Sequence, residues 1–143
     1  MKKIIIIFAL ISFFIISCEK DYEKQYATTY PISGDWYTSF NYLGDSYGPY
    51  VLSIYNTSFG GADTVWVSDN GNFWTFKVKA KANVANKTFS IVDGIDLEND
   101  DTTQIMNGRI LNSNNDSIHF LLMFASSPGD TIVVSGHRKT GLE

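Results

Sequence analysis

The chain has 143 residues, 15 Asp and Glu against 11 Lys and Arg, a formal net charge of −4 and one cysteine. That acidic balance argues against a nucleic-acid partner and against electrostatic docking on anionic lipid headgroups. A lone cysteine excludes a disulfide framework. Tyr, Phe, Thr, Val and Asn are plentiful, whereas Leu, Ala, Glu and Arg are scarce, so the composition favours strands over helices.

Residues 1–17 come first. Met1-Lys2-Lys3 carries two positive charges, and residues 4–16 form an apolar run broken only by Ser12. A basic start, an apolar core too short to span a bilayer comfortably and a small residue before a cut describe a secretory signal peptide. The sequence Ile15-Ile16-Ser17-Cys18 resembles the signal of bacterial lipoproteins, with Ile15 where Leu is commoner. In that family the cysteine becomes the mature N-terminus and carries acyl chains. The resemblance therefore implies lipidation of Cys18 and a membrane partner reached through those chains. The compartment implied is the outer membrane of a Gram-negative bacterium. The alternatives are a structural free thiol or an uncleaved anchor helix over residues 2–16. Each buried acyl methylene contributes about 0.8 kcal/mol, so two or more chains hold a protein on a membrane without a spanning helix. Modification of Cys18 leaves no thiolate nucleophile and no cysteine metal ligand. Cleavage also removes Lys2 and Lys3, leaving nine basic against fifteen acidic residues, a charge of −6.

Residues 18–30 are polar, lack an apolar period and read as a tether. Their opening, Cys18-Glu19-Lys20-Asp21-Tyr22-Glu23, resembles the export signal that sends some Bacteroidetes lipoproteins to the outer face of the outer membrane. A merely charged linker is the alternative.

Residues 31–143 form one domain that divides into eight runs: 32–43, 50–56, 64–68, 73–81, 88–92, 103–111, 117–125 and 131–138. Turn chemistry separates them, most clearly Asp69-Asn70-Gly71-Asn72. Every connection suits an antiparallel neighbour and none holds a crossover helix. The fold predicted is an all-β, eight-stranded antiparallel up-and-down barrel, which removes both sheet edges. A two-sheet β-sandwich is the alternative. In run 73–81 Trp74, Phe76, Val78 and Ala80 alternate with Phe73, Thr75, Lys77 and Lys79. In run 117–125 both faces are apolar: Phe120, Leu122 and Phe124 on one, Leu121 and Met123 on the other. The second face predicts either a contact with a second copy or protein partner, or cover from a loop or terminal segment.

Gly34-Asp35-Trp36 opens the first strand and Arg138 lies late in the last. This pattern resembles the Gly-x-Trp and distant Arg of lipocalin and wider calycin barrels. Closure of eight strands brings the start of the first beside the end of the last, so Trp36 and Arg138 are expected to meet as a barrel-closing pair. The mature chain also resembles a Bacteroidetes family of lipocalin-like lipoproteins labelled lipid-binding putative hydrolases. The residues that carry it are Tyr30-Pro31-Ile32-Ser33-Gly34-Asp35-Trp36-Tyr37, Ile54-Tyr55-Asn56-Thr57-Ser58 and Asp63-Thr64-Val65-Trp66-Val67. The resemblance implies the barrel, the compartment and a lipid-like guest.

If Trp36 points inward, Thr38 and Phe40 share its face. The provisional interior adds Trp66, Trp74, Phe76, Phe89, Phe120 and Leu122, side chains suited to a small hydrophobic ligand such as a fatty acid. They are equally able to fill so narrow a barrel completely, which would leave an accessory protein that binds a partner. Gly44-Asp45-Ser46-Tyr47-Gly48 has the Gly-x-Ser-x-Gly spacing but lies in a turn with no helix after it, so it makes no nucleophile elbow, and no His-Glu-x-x-His motif occurs; the hydrolase label finds no support and no catalytic residue is assigned. His119 and His137, with Asp116, are the remaining candidates for a metal or for serving a serine. The acids of residues 93–101 invite calcium, but the spacing departs from an EF-hand and a solvated mobile loop is the simpler reading. No metal and no cofactor is assigned. Asp63-Thr64-Val65, Asp101-Thr102-Thr103, Asp116-Ser117-Ile118 and Asp130-Thr131-Ile132 resemble the O-glycosylation sequon of exported Bacteroidetes proteins, although turn chemistry alone favours such strings.

Overall fold

The computed structural model describes residues 26–58, 63–111 and 116–141. The expected signal peptide, Cys18 and most of the expected tether lie outside the described residues. Eight strands form there: β1 (Gly34–Tyr42), β2 (Asp45–Asn56), β3 (Thr64–Ser68), β4 (Lys77–Asn83), β5 (Thr88–Ile95), β6 (Thr102–Leu111), β7 (Ser117–Phe124) and β8 (Ile132–Arg138). Each pairs with the next, and β8 returns to β1 over six residue pairs from Trp36↔Arg138 to Asn41↔Val133. The result is a closed antiparallel up-and-down barrel, not a sandwich.

Period-two alternation builds the core. Trp36, Thr38 and Phe40 of β1 point inward and are fully buried, as are Val78 and Ala80 of β4 and Ile118, Phe120, Leu122 and Phe124 of β7. Burying one such large apolar side chain contributes about 1.5–3 kcal/mol. Lys79 and Lys81 alternate outward into water.

Three boundaries differ from the sequence reading. The second strand begins at Asp45, because β1 and β2 join through the two-residue turn Leu43-Gly44, both at positive φ (51° and 94°). Pro49 is tolerated there because the β1–β2 ladder bulges between Thr38 and Phe40, where no N–H is required of it. Residues 73–75 leave the strand and form a loop, with Thr75 at φ 57°. The fifth strand runs on to Ile95 through two register shifts.

Two different plugs close the barrel. At one end, here the Trp36 end, the Arg138 guanidinium carbon lies 4.2 Å from the Trp36 ring centroid. Its Nη1 donates to the Ser33 carbonyl at 2.7 Å. Burial pushes the Arg138 pKa down from its ordinary value, and the nearby Tyr30 partly opposes that shift. Gly34, at φ +139°, leaves the space that the guanidinium fills, and a Cβ there would collide with Arg138 Nη1. The last residues of the sequence-read tether belong to this plug. The Tyr30 N–H donates to the Ala27 carbonyl, the Ile32 and Ser33 N–H groups donate to the Thr29 carbonyl, and Thr29 and Ile32 are buried.

The opposite end, the Asp69 end, is sealed by residues 69–76. Asp69 is fully buried. Its Oδ2 accepts from the N–H groups of Phe73, Trp74 and Thr75 at 2.8–2.9 Å, and its Oδ1 from those of Gly71 and Phe76 at 3.0 and 2.9 Å. Five donors on one carboxylate turn the chain back over the barrel. Phe73 then stacks on Phe40 (4.5 Å) and Trp74 on Phe124 (5.4 Å).

Candidate functional site

Most of the residues proposed for the interior point there. Thr38, Phe40, Phe76, Phe120 and Leu122 are fully buried and Phe89 nearly so. They pack against one another and their neighbours: Phe89 meets Phe120 edge-on at 5.6 Å, Phe76 meets Phe124 at 5.9 Å, and the Thr38 hydroxyl donates to the Tyr50 carbonyl at 3.2 Å. The middle of the barrel is therefore filled by its own side chains. Trp74 is half-buried in the lid of the Asp69 end rather than in a strand.

Trp66 corrects the sequence reading. Val65 and Val67 are the buried residues of β3, which puts Trp66 on the outer wall. There it lies in a row with Tyr55 and Lys79, and the Nζ atoms of Lys79 and Lys77 sit 4.9 and 5.5 Å from its ring centroid. The compact valines fit the narrow interior, while the Lys77 and Lys79 ammonium groups sit over the half-buried indole.

A cleft of about 970 Å³ opens at the rim of the Trp36 end. Ala82 and Val84 from the β4–β5 hairpin and Phe89 of β5 supply its apolar wall, and Gly108 of β6 lies beside Phe89. Gly108 is required for that approach, since a Cβ would lie about 2.7 Å from the Phe89 ring. Thr28, Asp63, Lys81, Asn107, Arg109 and His119 bring polar groups. Arg109 is the cross-strand partner of both Thr88 and His119. Sequence reasoning placed Phe89 in the interior and named His119 only as a metal or catalytic candidate and Asp63 only in a glycosylation-like string; it did not bring these residues together. The signal was Asn107-Gly108 inside a strand, the mark of a bulge; Asn107 is at φ 55° and the β6–β7 register shifts there.

The two histidines stand on neighbouring strands, His119 opposite Ser135 and His137 opposite Ser117. His137 lies 5.8 Å from the Tyr37 ring. The Ser117 hydroxyl donates to Asp116 Oδ1 at 3.0 Å.

The acidic stretch 93–101 is a strap, not a loose loop. Asp96 is fully buried, and its Oδ1 accepts from the N–H groups of Lys77 (2.9 Å) and Glu98 (3.0 Å). Asn99 Nδ2 donates to the Trp74 and Thr75 carbonyls at 2.6 and 2.8 Å, which fastens the lid. Asp101 Oδ2 accepts from the Ser126 hydroxyl at 2.6 Å, and that bond holds its carboxyl below the ordinary carboxylate range. The Tyr42 hydroxyl donates to Asp130 at 2.7 Å, which raises the phenol pKa. Asp96 and Asp101 are thus drawn to separate donors, and no group of three or more His, Cys, Asp or Glu converges to hold a metal among the described residues. Of the four hydroxyls in glycosylation-like strings, Thr131 is exposed, while Thr64, Thr102 and Ser117 are half-buried.

On the outer wall, Met106, Leu121 and Val133 align across β6, β7 and β8, with Met123 beside them, and all four are half-buried.

The architecture is that of the small closed antiparallel barrels, with an apolar cleft at one rim. A family model described as "lipid-binding putative hydrolase" matches residues 21–143, and the chain belongs to that family. A search of curated proteins gives no match.

Proposed function

We propose that this protein is a lipid-anchored, lipocalin-like lipoprotein of the outer membrane that holds a small hydrophobic ligand in the rim cleft and does not hydrolyse it. The observation that carries the reading is the cleft itself, with Phe89, Ala82 and Val84 walling a space of about 970 Å³ in a chain of a lipid-binding family. Clefts of this size and lining suit small apolar ligands. Its position adds support. Thr28 lines it, so it opens where the chain arrives from Cys18. Seven residues lie between Cys18 and Tyr26, and the eight steps, at 3.3–3.6 Å each, reach at most about 29 Å. An acylated Cys18 thus keeps the cleft within a bilayer's thickness of the membrane surface, where a lipid is at hand. Against hydrolysis stands the setting of the chain's Gly-x-Ser-x-Gly spacing: Ser46 lies at the start of β2 with no helix after it, so no nucleophile elbow forms.

Displacement of an environment-sensitive acyl probe tests the reading. Wild-type mature protein should bind the probe, and Ser90→Trp, at an exposed position of the cleft wall, should abolish binding without lowering the unfolding midpoint. No saturable binding to wild type would contradict it. A second reading, a solid barrel that docks a protein partner, rests on the Met106–Leu121–Val133 row. It gains ground if the probe fails and Leu121→Lys disrupts an isolated complex.

A further inference from the structure

We infer that the ligand of the rim cleft carries an anionic head group, gripped by Arg109. This rests on the cleft being the ligand site, and it assigns the ligand's chemical class. Arg109 is exposed, lines the cleft and makes no ion pair or side-chain hydrogen bond among the described residues. Its neighbour across the ladder, His119, has an Nδ1 shielded from water with no hydrogen-bond partner there. Lys81, also in the lining, is engaged by Asp63 at 3.7 Å. The lining thus holds two permanent cations and one carboxylate, an excess of positive charge in a chain whose net charge is −4. The cation left over is Arg109.

Its place relative to the apolar wall matters as much as its charge. Phe89 pairs with Gly108, and Arg109 is the next residue along β6. Phe89 and Arg109 both line the cleft, so an acyl chain held there has its polar group in the same space as a guanidinium. That fork binds carboxylate or phosphate through two parallel hydrogen bonds. A neutral ester has no charge to offer it, so the preference for an acid is read directly as a ratio of affinities.

The test compares hexadecanoic acid, its methyl ester and hexadecyl phosphate as competitors of a fluorescent acyl probe, using the full mature chain. Wild type should prefer the acid or the phosphate to the ester by at least about tenfold, the worth of a hydrogen bond to a charged group. The acid and phosphate arms distinguish a carboxylate head from a phosphomonoester. Arg109→Gln should reduce both to the ester's affinity and leave the ester unchanged, with Arg109→Lys recovering part of the preference. Equal binding of acid, phosphate and ester by wild type, or a preference that survives Arg109→Gln, overturns the proposal while leaving a hydrophobic site in place. Failure of all three compounds to bind overturns the ligand site as well.

Discussion

Replacing Asp69 with Ala removes the acceptor for five backbone N–H groups at once. Not all five lose equally. Gly71 and Thr75 are exposed and their amides rehydrate, whereas Phe73 and Trp74 are half-buried and Phe76 is fully buried. A hydrogen bond to a charged group contributes about 1.5–3 kcal/mol, and the three sheltered donors share one carboxylate, so their losses do not simply add. The expected cost is about 4–6 kcal/mol against the roughly 5–15 kcal/mol typical of a domain. For a barrel of this length that lowers Tm by roughly 15–25 °C. Asp69→Asn keeps one acceptor oxygen but turns an NH2 toward the remaining donors, and should lose about half as much. Urea titration and thermal unfolding followed by circular dichroism read both variants, with an unchanged m-value showing that the unfolded state is not responsible. The cleft is at the other end, so the folded fraction of Asp69→Asn should retain probe binding. A loss below about 1 kcal/mol for Asp69→Ala would refute the claim that this carboxylate holds the lid.

Gly34→Ala should destabilise the barrel by about 2–4 kcal/mol, through positive-φ strain and collision with Arg138. In an Arg138→Ala background its added cost should shrink, because the collision disappears, and a double-mutant cycle in urea measures that coupling. Ser126→Ala should raise the Asp101 pKa toward the ordinary carboxylate value, as followed by NMR titration. The depressed pKa adds stability above the unfolded-state pKa and loses it as pH falls through the folded one, so this variant should show a shallower acid limb. His119→Ala combined with His137→Ala should leave any esterase background of the purified protein unchanged; a loss of saturable turnover would restore the case for hydrolysis.

The eight strands were legible because turn residues and alternation both repeat along the chain. The meeting of Gly34-Asp35-Trp36 with Arg138 was legible because closure leaves the first and last strands no other neighbours. What escaped depended on contacts remote in sequence. Trp74 alternates in phase with Phe76, yet Asp69 bends residues 73–75 into a loop, and no period-two pattern reports a carboxylate capturing amides four to seven residues ahead. Trp66 and Val65 compete for one face, and burial by size alone favours the indole. The narrow barrel favours the valine, while Lys77 and Lys79 cover the indole from a neighbouring strand. Asp45 to Pro49 read as a turn because Gly and Pro usually break strands. The bulge opposite Ser39 and the Asn70 and Asn72 side chains, which donate to the Val51 carbonyl, make the strand workable there. Arg109 gave no signal of its own, since a charged residue alternating outward is ordinary; its cleft arises only when four strands converge.

Protein isolated from its native membrane, extracted with organic solvent and analysed by mass spectrometry, tests the ligand-carrying role most directly. The account predicts a stoichiometric acidic amphiphile that is lost from Ser90→Trp and is distinct from any acyl chain attached to Cys18. Extracts that hold nothing beyond bulk membrane lipid, in the same amount for both proteins, would contradict it.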